Sequence, residues 1–558
     1  MGVPEAFRCV MPDDGSKIVP ADLPDTLEDL RQQIDGAVVV DAGTGGSGVA
    51  QPPDDDEGEP PPDRELATYD KSDKGNGERL IQRFGRDLVF VDQNGWAVWD
   101  GKRFGYELGE AAATKLCHRM VEKLRDEVKE LRDLGPPPAP PTETEELDPN
   151  VQGKLRLERI KDWERGLKAF EQFAVKSGDT PKVKGALEQA KPYLSKPMRA
   201  MDAHPWLLTA ENGTLDLRQK PESRDQMHLG GFRKANLITR LAGAAFNPQA
   251  SAPQFDRFIK RILPDEDVRK FVQKLLGYCL TGDTSEQIFV IFYGTGKNGK
   301  SKLVDLIRKV FGDYAATIPV GVFLDGKDKK ADGPKPSIAK LPGVRLVLMN
   351  EPDKGEALSE GLVKEVTGGE PMETRKLNKD PFEFRPEFTP IMVTNHRPII
   401  RGQDVGIWRR VILVPFEVFI TPDERDPHIL DKLVAEKDGV LNWLLDGLWL
   451  WLEEGLDPPE KIMAAVEEYR RDQDPLGDFL EAETAALRDR RVTATALYEA
   501  YTKWCERNAQ EPLKQNGFGR KMKDRGFRTV KSCGVNEYVG LCLLDGLPQN
   551  VDAPPPEL

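Results

Sequence analysis

The sequence predicts a multidomain α/β chain: a P-loop parallel-sheet core, preceded by a mostly helical α+β domain and followed by a small α/β tail. Three observations lead there. Gly294-Thr295-Gly296-Lys297-Asn298-Gly299-Lys300-Ser301 is a complete G-x-x-x-x-G-K-S loop. It lies between an apolar run at 288–293, read as a buried strand, and 302–311, where Leu303, Leu306, Ile307 and Val310 share one helical face. Two more apolar runs, 345–349 and 390–394, recur downstream between helical and polar segments, the rhythm of a parallel sheet. Finally, proline-rich and acidic stretches interrupt the 558 residues at places that suit domain edges.

From the start of the chain, residues 1–64 are rich in Asp, Pro and Gly and read as a disordered arm, because such a composition buries too little surface to offset the entropy of ordering. Residues 65–254 form the N-terminal α+β domain. Its expected elements are strands at 88–91 and 96–99 around Gln93-Asn94-Gly95, a long helix through Leu131, helices at 154–174 and 182–190, and a hairpin at 206–217. A linker at 136–150 interrupts it. The core domain spans 255–456, entering through helical spacing at 255–280 and becoming helical again from Phe416 to about Glu454. Residues 457–545 form the tail domain and 546–558 a flexible end.

Eighty basic residues against 94 acidic ones give a net charge of −14, which excludes a basic coat but not basic charge confined to a channel. Six scattered cysteines form no C-x-x-C pair, so neither a zinc site nor a disulfide framework is expected and a reducing cytoplasm fits. The most apolar stretch, 441–452, contains Asn442 and Asp446 and is too short to span a bilayer. No basic-then-apolar leader opens the chain, so the expectation is a cytoplasmic protein without a membrane role.

In a P-loop, glycines let successive N–H groups face phosphate oxygens, and the following helix adds its dipole. The whole loop, Gly294 to Ser301, is therefore the expected triphosphate cradle, with Lys300 on the β and γ phosphates and the Ser301 hydroxyl on Mg²⁺. The next strand delivers Asn350-Glu351, where the glutamate can activate water and help hold the metal. The competing reading is that Glu351 merely ends a core strand beside Pro352. The strand at 390–394 delivers Asn395, whose amide can sense a γ phosphate, although Asn395-His396-Arg397-Pro398 is also good turn chemistry. Arg409-Arg410 precedes the apolar run 411–416 and could reach a neighbouring subunit's phosphates; an Arg pair is also a common surface feature.

Taken in order, these motifs resemble superfamily 3 helicases of the AAA+ class, most of all phage and plasmid primase-helicases and the poxvirus primase-helicase. Lys364-Glu365-Val366-Thr367-Gly368-Gly369-Glu370, Gly277-Tyr278-Cys279-Leu280-Thr281-Gly282 and Asn212-Gly213-Thr214-Leu215-Asp216-Leu217 extend the likeness over roughly residues 65–545. The resemblance implies an AAA+ core using ATP and Mg²⁺, a homohexameric ring with ATP between subunits, and Arg410, with Arg409 as second choice, acting across the boundary. It implies that a hairpin ahead of the Asn395 strand grips single-stranded DNA; 375–384 has the composition for it, with Lys376 and Lys379 on phosphates. The tail resembles the winged-helix domain that follows such motors, with Arg520, Lys521 and Lys523 on a basic helix, though a purely structural helical cap is the competing reading.

The implied function is an ATP-dependent ring helicase acting on single-stranded and forked DNA in replication of a mobile element. The 1–64 arm is too short for a primase domain, so a separate primase or polymerase is the expected partner. The alternative is an ATP-controlled DNA-binding or origin-loading protein without unwinding, a reading kept open by Asn350 and the polar insert 326–336.

Overall fold

The computed structural model describes residues 60–546 apart from 138–147, 219, 326–335, 353–354, 377–379, 509 and 533. Most of the expected arm and of the linker, nearly all of the polar insert, Lys379 and nearly all of the flexible end lie outside the described residues.

Five parallel strands form the central sheet. In the N-terminal domain β1 (Leu88–Val91), β2 (Gly95–Trp99) and β3 (Phe104–Gly105) form one antiparallel sheet, and β4 (Leu207–Ala210), β5 (Gly213–Asp216) and β6 (Leu229–Gly230) another. The core strands are β7 (Phe289–Tyr293), β8 (Ala315–Ile318), β9 (Leu346–Met349), β12 (Thr389–Thr394) and β13 (Val411–Pro415). They stand in the order β13-β7-β12-β9-β8, and β10 (Met372–Thr374) with β11 (Phe382–Phe384) makes a separate hairpin. The strand leading to Asn395 therefore lies between the P-loop strand and the Glu351 strand.

Period-two alternation explains why this sheet is central. Val290 and Phe292 of β7, Leu346 and Leu348 of β9, and Ile412 and Val414 of β13 enter one core; Phe289 and Ile291, Val347 and Met349, Val411 and Leu413 enter the other. Both faces are covered, so these strands read as unbroken apolar runs. Each fully buried side chain of this size contributes about 1.5–3 kcal/mol. The helix Lys300–Phe311 packs through Leu303, Leu306, Ile307 and Val310, all at most 2% exposed.

Two local features differ from the sequence reading. The helical run expected at 255–280 is two helices, Pro253–Ile262 and Glu266–Tyr278. Pro264 disfavours helix for Leu263, and Asp265 caps a new start by accepting from the Val268 N–H at 3.1 Å. The edge strand β8, half-exposed Ala-Ala-Thr-Ile, was not expected because it has no apolar run.

The segment ahead of the central sheet is tied to it by named contacts. Arg345 stacks on Tyr314 and donates to the Leu207 and Leu280 carbonyls, while Trp206 stacks on Trp451. In the domain itself the buried Arg79 meets Glu127 at 2.9 Å with neither side chain exposed, and Arg83 shares the same carboxylate; a buried charge is tolerated only when so paired. After β13, the helix Glu460–Asp472 packs on the core through Tyr469, whose hydroxyl donates to the Pro398 carbonyl. The remainder runs helix Pro475–Glu483, β14 (Thr484–Thr493), helices Ala494–Arg507 and Gln515–Asp524, β15 (Thr529–Ser532) and β16 (Val535–Leu543). Its antiparallel sheet has the order β14-β16-β15.

Candidate nucleotide site

The carboxyl ends of β7, β12 and β9 bring three expected residues together. Lys300 Nζ donates to the Gly294 carbonyl at 3.1 Å and to Asn395 Oδ1 at 3.2 Å. The Asn395 backbone N–H and Nδ2 donate to the two Glu351 carboxylate oxygens, each at 2.9 Å. Asn395 thus bridges the P-loop lysine and the acid. A crevice beyond the carboxyl ends of a parallel sheet, where strand order reverses, is where such folds bind ligands.

The loop has a shape that side chains would fill. A Cβ on Gly294 would stand 2.3 Å from Asn298 Nδ2 and 2.4 Å from the Phe416 carbonyl, and Gly296 and Gly299 have φ of +94° and +81°. Lys297 takes φ +56°, a left-handed conformation that costs a non-glycine residue energy. Asn298 is not a free ligand of the cradle. It is 2% exposed, accepts from the Lys300 N–H at 3.3 Å and donates to the Phe416 carbonyl at 3.0 Å, so it fastens the loop to the end of β13.

Lys300 is 3% exposed, and burial lowers its pKa from 10.5 to about 8, with the Glu351 charge pulling the other way. A triphosphate would restore the missing counter-charge. Ser301 and Glu351 are both exposed beside the loop. A hydroxyl and a carboxylate next to a phosphate cradle suit Mg²⁺, which keeps several waters and takes few protein ligands. Among the described residues no cluster of three or more His, Cys, Asp or Glu forms a separate metal site.

Beside Gly299 opens a cavity of about 650 Å³ walled by Phe258, Ile262, Ile420, Pro427 and Ile429. Its size and apolar walls suit a nucleobase. Sequence reading missed it, since its walls come from the helix before the P-loop and from a segment about 160 residues later; the only signal was the apolar stripe of helix Pro253–Ile262.

The other expected residues are placed elsewhere. Val411 pairs with Phe289 and Pro415 with Tyr293, so Arg409 and Arg410 sit at the amino end of the sheet, roughly 15 Å along β13 from their own P-loop. Arg410 is 8% exposed, donates through Nε to Thr367 Oγ1 at 3.0 Å and through Nη1 to the Gly406 carbonyl. Arg409 is exposed and reaches Gln287 Oε1 at 2.7 Å. Of the pair, Arg409 is the exposed side chain and Arg410 the buried one. Lys376 is half-buried and donates to the Gln93 carbonyl at 3.3 Å and to Asn94 Oδ1, at the root of the hairpin instead of on an open face. On helix Gln515–Asp524, Phe518 and Met522 face the tail's core while Arg520 and Lys523 are exposed and Lys521 is half-buried. Residues 484–543 hold twelve Lys and Arg against six Asp and Glu, in a chain of net −14. Among the described residues no helix is long and apolar enough to cross a membrane.

Comparison with known proteins bears on this arrangement. The family model "D5 N terminal like" matches residues 77–264 and "Poxvirus D5 protein-like" matches 471–531, one on each side of the P-loop core. The chain is 27% identical over 337 residues to "Putative helicase L207/L206" of Acanthamoeba polyphaga mimivirus, covering 56% of this chain and 34% of that protein. It is 29% identical over 274 residues to "Putative helicase 022R" of Frog virus 3, covering 45% and 28%. To "Putative primase C962R" of African swine fever virus (strain Badajoz 1971 Vero-adapted) it is 25% identical over 368 residues, covering 61% and 38%. The chain thus spans about a third of the length of the curated relatives it matches. Among solved structures, the C-terminal region of NrS-1 aligns at 15% identity and a TM-score of 0.38, over 57% of this chain and 82% of that one, a score too low to carry an argument.

Proposed function

From its similarity to the D5-type viral helicase and primase proteins, we propose that the chain is an ATP-dependent ring helicase of the superfamily 3, AAA+ type that unwinds DNA during replication of a virus, phage or other mobile element. The observation that carries this reading is the Lys300–Asn395–Glu351 chain of hydrogen bonds at the carboxyl ends of three adjacent parallel strands. Lys300 and the backbone of Gly294 to Ser301 hold the phosphates, and the apolar cleft takes the base. Ser301 and Glu351 would hold Mg²⁺, which when bound would supply charge neutralisation at the phosphates. Glu351 orients and deprotonates the attacking water. Asn395, now bonded to both Glu351 oxygens, exchanges part of that contact for the γ phosphate, leaving an oxygen of the acid available to water. Arg409 completes the site of the adjacent copy. The division at 65–254, 255–456 and 457–545 is our reading of the domains, with 457–545 a winged-helix-like DNA-binding domain, since its helix-strand-helix-helix-strand-strand order exposes one basic helix.

The test is ATP turnover by the full chain with and without single-stranded DNA, alongside its mass in solution with a non-hydrolysable nucleotide. Stimulated turnover and a mass near six copies are expected. Glu351→Gln should lower turnover by about 10²-fold or more while nucleotide binding persists, and Lys300→Ala should abolish it with tail-mediated DNA contact retained. Unchanged turnover in either variant would remove the residue from its assigned role. ATP-dependent assembly on DNA without strand separation would favour the origin-loading alternative.

A further inference from the structure

A second cavity, of about 270 Å³, lies where the N-terminal domain meets the root of the β10–β11 hairpin, with Tyr106, Asp202, Arg240, Asp313, Lys340 and Lys376 in its lining. That is slightly under the roughly 300–1,000 Å³ of sites enclosing a whole small molecule, so it suits one charged group better than a nucleoside. Two of its cations are positioned by neutral oxygens. Arg240 Nη2 donates to the Lys340 and Pro342 carbonyls at 3.3 and 2.6 Å, and Lys376 Nζ to the Gln93 carbonyl at 3.3 Å. Lys340 itself is exposed at the rim.

The facing acids are already engaged. Asp313 takes Arg103 and the Leu241 N–H, and Asp202 accepts from the Thr239 N–H at 2.6 Å while burial pushes its carboxyl toward the neutral form. Glu107, the third acid of the lining, is exposed to solvent. Two donors remain for a ligand. Arg240 Nε is buried with no hydrogen-bond partner among the described residues, a costly state unless something fills it. Burial raises the Tyr106 phenol to about 12, which keeps it a protonated donor at any working pH.

We propose that this cavity is a phosphate-binding site formed jointly by the N-terminal domain and the hairpin root, and that it holds a backbone phosphate of the single strand gripped by the hairpin. This rests on the reading of the chain as a DNA motor. A free nucleotide presents the same chemistry, so both sources enter the test.

In the full-length chain carrying Lys300→Ala, which takes the P-loop out of play, a labelled oligothymidylate is titrated by anisotropy and inorganic pyrophosphate by calorimetry. Added Lys340→Ala or Tyr106→Phe should each weaken oligothymidylate binding about three- to tenfold. Lys340→Ala should also reduce the slope of log affinity against log salt by about 0.7, the share of one single-strand phosphate contact. Tyr106→Phe should leave the melting temperature unchanged; a drop with unaltered affinity would mark a structural hydroxyl and overturn its assignment. Loss of pyrophosphate binding alone would overturn the strand as the source and keep the phosphate site. Unaltered affinity and slope for both probes would overturn the site while the motor reading stands. Failure of every form, wild type included, to bind oligothymidylate would remove the motor reading.

Discussion

The two ends of the central sheet are unlike. At the carboxyl end, Lys300, Asn395 and Glu351 converge through hydrogen bonds of 2.9–3.2 Å around a glycine cradle, next to an apolar cleft. At the amino end stand two arginines, one exposed and one folded back onto Thr367 and Gly406. The first end carries the lysine, amide and acid that the proposed triphosphate chemistry uses. The second has an exposed guanidinium, bonded to Gln287 Oε1 at 2.7 Å, and no phosphate cradle among the described residues. In the ring proposed above, two copies meeting end to end would join them into one site.

The strongest way to break this comparison is Arg409→Ala. It should lower turnover by about 10³-fold, the low end for an arginine supplied in trans, with nucleotide affinity little changed. Mixing it with Lys300→Ala should restore part of the activity, because each variant supplies what the other lacks at a shared boundary. Activity of the Arg409→Ala chain equal to wild type would return the role to Arg410 or to neither.

Lys300 sharpens the contrast through pH. With its pKa lowered to about 8 by burial, it must take up a proton to bind a triphosphate above that pH. Affinity for a fluorescent ATP analogue should therefore fall by up to tenfold per unit as pH rises beyond about 8. On folding the sign is opposite. Between about 8 and 10.5 the unfolded lysine binds more protons than the folded one, so its contribution to stability grows with pH across that window. An affinity profile flat to pH 9.5 would show that Lys300 stays charged.

The smallest effect belongs to the tail. Arg520→Ala with Lys523→Ala should weaken duplex DNA binding only several-fold and reduce the salt slope by about 1.8, leaving DNA-independent turnover untouched. An unaltered slope would make the tail a structural cap.

Legibility followed how local the signal was. Gly294–Ser301 and the strands around it were readable because a phosphate loop, a buried strand and an amphipathic helix each write their pattern in consecutive residues. Glu351 and Asn395 were found as strand-end residues, but their mutual hydrogen bonds were not, since register between strands is absent from the chain. The apolar cleft was missed for the same reason. Arg410 was favoured on spacing to Phe416, and spacing alone does not tell which of two adjacent arginines folds inward over the small side chain of Thr367. Lys376 carried a charge pattern suited to a phosphate, but its contact with the Gln93-Asn94 turn, nearly three hundred residues upstream in the chain, could not be read from it.

Asn298 joins the phosphate loop to the residue that follows β13, and Arg409 lies two residues before that same strand begins. Five extended residues, paired along their length to β7, have little give. In the ring proposed above, a shift that an arriving triphosphate imposes on the loop would be passed along this stiff rod to the guanidinium facing the neighbouring copy, so the filling of one copy would time the firing of the next.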